Sequence, residues 1–177
     1  MKKRLVSMLL VLVMVLGMLP VTALAASSEE EALGEVNIYN GEQKLSYLSI
    51  NGRIRELIYT YFNHVDANGR TKEIPAYCVN PNIYGVPQTV GPGESIKYIA
   101  KEKGSDPKVM GIIASGYPTC GLSELKLENK YHAYYATKMA LWCYLLPNWN
   151  INNLKVNPNL TGAELQRARA ILAAAKD

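Results

Sequence analysis

Three cysteines and two histidines are all the soft-metal chemistry this chain carries in 177 residues. No two cysteines lie close in sequence, and His64 and His132 stand alone, so the paired spacing of a zinc site is missing. No internal repeat or low-complexity tract appears. An excess of basic charge is missing too. The formal charge is +4, but Lys2, Lys3 and Arg4 crowd the first four residues. Without them 16 basic residues face 15 acidic ones, a formal charge of +1, which argues for neither nucleic-acid nor membrane binding. The long apolar run, Leu5 to Leu19, is too short and wrongly flanked for a membrane span.

What the N-terminus does have is the order of an export signal. A basic stretch precedes the apolar run, and Ala23-Leu24-Ala25 supplies small residues for cleavage. Residues 1–25 are therefore expected to be a signal peptide, and the mature chain is expected outside the cell. Residues 26–34 are polar and acidic and read as a disordered lead-in. About 150 residues remain, enough for one core. An odd cysteine count in an exported chain leaves either one pair and one reactive thiol, or no pair.

Alternation from Glu35 to Tyr39 predicts a strand. Leu45–Ile50, Asn51-Gly52 and Arg53–Phe62 form a hairpin signature, because a type I′ turn needs φ > 0 at both central residues. A second turn at Asp66-Ala-Asn-Gly69 leads into Lys72–Val79, which makes a three-stranded antiparallel meander ending at Cys78. Asn80 to Gly93 is a Pro/Gly-rich loop. Ser95–Lys103 reads as a short helix. Asp106 and Pro107 open another as N-cap and N1, with Val109, Ile112 and Ile113 inward and Gly116 at C′. Cys120–Glu128 is a polar connection, and Pro147–Pro158 is turn-rich. Thr161-Gly-Ala-Glu164 has the form of a capping box, and the helix it opens carries Leu165, Ala168, Ile171 and Leu172 on one face.

Between them lies Tyr131–Leu146, apolar almost all round and stopped by Pro147, as expected of a helix buried on most faces. Lys138 is the only formal charge between Lys130 and Lys155. It shares a stripe with Tyr134, Leu141 and Leu145. A lysine inside a buried helix needs a partner or an opening to water.

Tyr77-Cys78-Val79 is an aromatic-Cys-aliphatic tripeptide, and Ala136-Thr137-Lys138-Met139-Ala140-Leu141-Trp142 has the form Ala-Thr-x-x-Ala-x-Trp. With Gly116-Tyr117-Pro118 between them, these segments resemble the thioester domain of Gram-positive surface adhesins over roughly residues 76–175. That resemblance implies an α+β fold, an antiparallel meander packed against three to four helices over residues 35–177. It also implies a site where Cys78 is the family's thioester cysteine, with Tyr77, Tyr134, Trp142 and His132 as lining candidates. In the family, the cysteine thiolate attacks a glutamine carboxamide and expels ammonia, leaving an electrophile for a host amine. The matching position here is Lys138, which has no acyl carbon, so the expectation is a degenerate site that forms no thioester. Gln88 is the only glutamine near Cys78 in sequence, and it lies outside the family motifs. If Cys78 is reserved, Cys120 and Cys143 are the candidate disulfide; two buried thiols are the alternative.

Lys138 itself has three readings: a decayed site, an ion pair with a Cys78 thiolate, or a solvent-facing head on a buried stem. No cofactor or metal is expected, and no enzymatic turnover. The expected partner is a host surface or matrix protein, met by a monomer at the cell surface. Thioester domains usually continue with further strands and stalks, so a chain stopping at Asp177 without a sortase signal reads as a truncated copy or a fragment of a longer protein. Two other classes stay open. One is a binding module for host protein or glycan, using Tyr59, Tyr61, Tyr117 and Trp149. The other is a cysteine hydrolase or transpeptidase pairing Cys78 with His132, although no protease signature surrounds Cys78.

Export gives the first test. N-terminal sequencing of secreted material should begin at Ala26; membrane-bound material that keeps Met1 would overturn the signal-peptide reading.

Overall fold

The structure is a computed structural model that describes residues 35–79, 86–87, 89–99 and 106–177. The expected signal peptide and lead-in, the first half of the Pro/Gly loop and Gln88 lie outside the described residues. The fold of the described residues is α+β, an antiparallel sheet with three α-helices among them. Its elements are β1 (Glu35–Ile50), β2 (Arg53–Val65), β3 (Thr71–Pro75), β4 (Ser95–Ile99), α1 (Pro107–Ser115), α2 (Lys130–Leu145), a 3-10 turn (Ile151–Asn153), β5 (Leu154–Val156) and α3 (Gly162–Lys176).

β1 is the spine. The strand order is β3-β2-β1-β4, and β5 also pairs with β1. β4 takes the beginning of β1 (Glu35↔Ile99 to Tyr39↔Ser95), and β5 takes its end (Leu48↔Val156 to Ile50↔Leu154). At the β1–β2 turn, Asn51 and Gly52 have φ of 50° and 74°, as the type I′ signature requires. At the β2–β3 turn, Asp66 Oδ1 accepts from the backbone N–H of Asn68 and Arg70, and Gly69 takes a φ of 76°.

α2 lies across β1 and β2, with α1 and α3 against it. The core joins Leu45, Leu48, Ile50 and Tyr59 of the sheet to Ala133, Tyr134, Tyr135 and Met139 of α2 and Ile171 of α3. Tyr135 fixes the helix on the sheet. The β1–β2 register slips between Leu45 and Leu48, and there the Tyr135 hydroxyl accepts from Leu48 N–H at 3.1 Å and donates to the Arg55 carbonyl at 2.5 Å. A side chain thus satisfies backbone groups at the irregularity.

Several local expectations are corrected. Ser95–Ile99 is a strand; Ser95 and Lys97 are exposed while Ile96 and Tyr98 are half-buried, a period of two that a five-residue window shares with one helix face. The rest of that expected helix lies outside the described residues. The meander's third strand ends at Pro75, so Cys78 follows it in irregular extended chain. Gly116 caps α1 in an extended conformation (φ −108°), not a left-handed one. What it needs is space, because a Cβ there would lie 2.5 Å from Thr137 Cγ2 of α2. Thr161 makes no side-chain cap bond, and Gly162 begins α3 with φ 54°. The turn-rich stretch hides β5, whose pairing is set by β1 and not by its own three residues. Asp106 behaves as read, its Oδ1 accepting from Lys108 and Val109 N–H.

Candidate functional site

The segment 76–78 is docked on α2 by side chains from both motifs. α2 starts at Asn129, whose Oδ1 accepts from Tyr131 and His132 N–H at 3.0 Å each. One turn in, Tyr134 is fully buried and stacks on Tyr77, with centroids 5.0 Å apart and planes 19° off parallel. Tyr77 in turn donates its hydroxyl to the Tyr117 carbonyl at 2.6 Å. Burial pushes the Tyr77 phenol far above its ordinary value. Two turns after Tyr134, the Trp142 indole N–H donates to the Cys78 carbonyl at 3.3 Å. The cysteine backbone is therefore held over the middle of the helix.

Lys138 sits between those two contacts on the same stripe, four residues from Tyr134 and four from Trp142. It is only 8% exposed, which corrects the reading of a solvent-facing head. Among the described residues its ammonium has one hydrogen-bond partner, the Tyr134 hydroxyl at 2.9 Å. It also lies 5.9 Å from the Trp142 ring centroid, within cation–π range.

Hydroxyls of the sheet and the helix share one backbone acceptor here. Thr60 Oγ1 donates to the Ala76 carbonyl at 2.7 Å, which spends its single proton. It also meets the Tyr134 hydroxyl at 2.7 Å, and that hydroxyl has the Ala76 carbonyl as a second acceptor at 3.3 Å. Tyr134 is left with lone pairs, one of which takes the Lys138 ammonium. The network of Lys138, Tyr134 and Thr60 ends on the carbonyl of Ala76, two residues before Cys78.

The sequence motifs missed Thr60, Tyr98 and Asn129. Tyr98 on β4 belongs to this neighbourhood. Burial raises its phenol pKa, and the negative charge of a Cys78 thiolate adds to the effect. Its period-two pattern with Ile96 was the available signal.

The remaining candidates are elsewhere. His132 is buried against β1, its Nε2 3.1 Å from the Tyr47 hydroxyl. Six residues from Lys138, it is about 240° round the helix, off the stripe that meets Cys78. Cys120 and Cys143 are not bridged. Cys120 Sγ points to the Ala114 carbonyl at 3.8 Å, at the end of α1. Cys143 faces a cavity of about 640 Å³ between α1, α2 and the end of α3, and burial pushes its thiol up to about 11. Tyr77, Cys78 and Lys138 do not line that cavity. Of the aromatic residues considered for a binding module, Tyr59 is buried, and Tyr61, Tyr117 and Trp149 are half-buried. No group of three or more metal-ligating side chains occurs among the described residues.

The Lys138–Tyr134 contact gives a second test. Tyr134→Phe strands a buried ammonium and should destabilise the chain by about 2–3 kcal/mol. Lys138→Met added to it removes the stranded charge and should recover part of that loss, a coupling of about 1–3 kcal/mol in urea unfolding. Additivity within about 0.5 kcal/mol would mean the two groups do not meet.

Comparison with known proteins gives the family of the chain. A family model for the thioester domain matches residues 75–176. The thioester domain of the Enterococcus faecium TIE86 protein is similar in structure, with a TM-score of 0.52 and 24% identity over 83% of this chain and 51% of that one. The Bacillus anthracis TIE protein gives a TM-score of 0.48 and 22% identity over 81% of this chain and 24% of that one. This chain thus spans about half the length of the first structure. No curated protein matches. The stretch matched by the family model is more than half of the chain and contains both Cys78 and Lys138, and the chain belongs to the thioester-domain family.

Proposed function

We propose that this chain is an exported, adhesin-type domain of a Gram-positive surface protein, in which Lys138 stands where its family has the reactive glutamine. The observation that carries this reading is the shared stripe of α2. Trp142, the last residue of the helical motif, holds the Cys78 carbonyl, and residue 138 lies one turn before it on the same side. A residue so placed is the natural partner for the cysteine. Lysine offers an amine where acyl transfer needs a carbonyl carbon, so Cys78 forms no thioester with it.

Contact with a host surface or matrix protein would then be non-covalent, made by a monomer. The cysteine-hydrolase reading loses its base. His132 is engaged with Tyr47 and Asn129, and burial holds its imidazole below the usual range.

Intact mass of the folded wild-type chain tests this directly. It should equal the sum of its residues, and methylamine should add nothing. Loss of one ammonia, with methylamine uptake mapped to a glutamine linked to Cys78, would overturn the proposal.

A further inference from the structure

The N-terminal cap of α2 is coupled to a buried imidazole, and the coupling has a fixed polarity. Asn129 is the N-cap, and its Oδ1 is committed to two backbone N–H groups. That commitment settles the amide orientation, so the group 3.4 Å from His132 Nε2 is the Nδ2 donor. The Tyr47 hydroxyl approaches the same nitrogen at 3.1 Å, and its ring packs edge-on to the imidazole with centroids 5.0 Å apart. An imidazole nitrogen facing an amide donor must offer its lone pair. With Nε2 as the acceptor, the neutral His132 carries its proton on Nδ1.

We infer that His132 is a pH-sensitive latch, in which protonation of Nε2 uncouples the α2 cap from β1 and loosens the helix that carries Lys138. Protonation turns the acceptor into a donor. Tyr47 can answer by rotating its hydroxyl to accept. Asn129 cannot turn its amide without surrendering both cap bonds at the start of α2. The ring is 4% exposed, so water does not take over the lost bonds. His132 is also the third residue of α2, where the positive end of the helix dipole opposes a new cation.

Glu128, just before the cap, favours protonation, and Arg167 of α3 opposes it; the two are paired at 2.9 Å. Glu164 of α3 lies nearer Tyr47 and acts on its phenol. Lys130, in the same first turn, is paired with Glu73 of β3. Burial is the largest influence on His132 and holds its pKa below the ordinary 6.5. The folded chain then binds fewer protons than the unfolded one as pH falls below 6.5. Stability is full above that pH and is lost on the way down to the folded-state value.

The test uses the full chain with His64→Gln, which leaves His132 as its one imidazole. Nitrogen-detected NMR should show an unprotonated Nε2 at neutral pH and a titration midpoint below 6.5. Asn129→Asp keeps the cap, because aspartate caps as well as asparagine, but replaces the donor with a carboxylate oxygen. It should raise the midpoint by about one unit or more and reduce the loss of urea resistance between pH 6.5 and pH 5. Asn129→Ser, a cap with no group reaching the ring, should fall between the two. A proton on Nε2 in the neutral-pH chain would overturn the inference, as would a midpoint that Asn129→Asp leaves in place.

Discussion

The Tyr134 hydroxyl lies where three parts of the chain meet, and the arrangement around Cys78 depends on its bonds being satisfied. It accepts from Lys138 on its own helix, shares a 2.7 Å hydrogen bond with Thr60 on β2, and has the Ala76 carbonyl as an acceptor at 3.3 Å. All of these groups are at least half-buried, so water is a poor substitute for any of them. A helix displaced by one residue would carry the hydroxyl about 100° round the axis and break every bond in the set. The register of α2 against the sheet is thus fixed twice, by Tyr134 at the 76–78 segment and by Tyr135 at the β1–β2 irregularity.

This frame gives Lys138 its character. A buried ammonium with a neutral hydroxyl for a partner and aromatic rings beside it is not an arrangement that a core adopts for stability. Replacement by an apolar residue of similar volume would cost less. A neutral polar side chain would meet the same surroundings without that desolvation cost. The indole–carbonyl bond from Trp142, the Tyr77–Tyr134 stack and the Thr60 relay all position the cysteine segment, and none of them depends on a charge at residue 138.

Much of this could be read from the residues. α2 showed itself because a sixteen-residue apolar stretch ending at Pro147 has few alternatives, and the hairpin because Asn51-Gly52 requires one turn type. Cys78 and Lys138 were singled out by motif, and the structure holds the Cys78 backbone beside the stripe that carries Lys138. What could not be read was set by partners distant in sequence. β5 exists because the end of β1 offers an edge, and Ser95–Ile99 is a strand because the beginning of β1 does. Thr60 looks like an ordinary strand residue until the sheet brings it to the Ala76 carbonyl and the Tyr134 hydroxyl. His132 is a lining candidate and the possible hydrolase partner of Cys78 in the sequence, but the helical rotation of α2 turns it toward Tyr47 instead.

We propose that α2 presents residue 138 to Cys78 in reactive geometry and that the lysine alone blocks the chemistry. The direct measurement is the intact mass of folded Lys138→Gln. The account predicts loss of one ammonia on folding and methylamine addition at residue 138, both abolished by Cys78→Ala in the same background. A Lys138→Gln chain that folds normally by circular dichroism, keeps its full mass and ignores methylamine would contradict it.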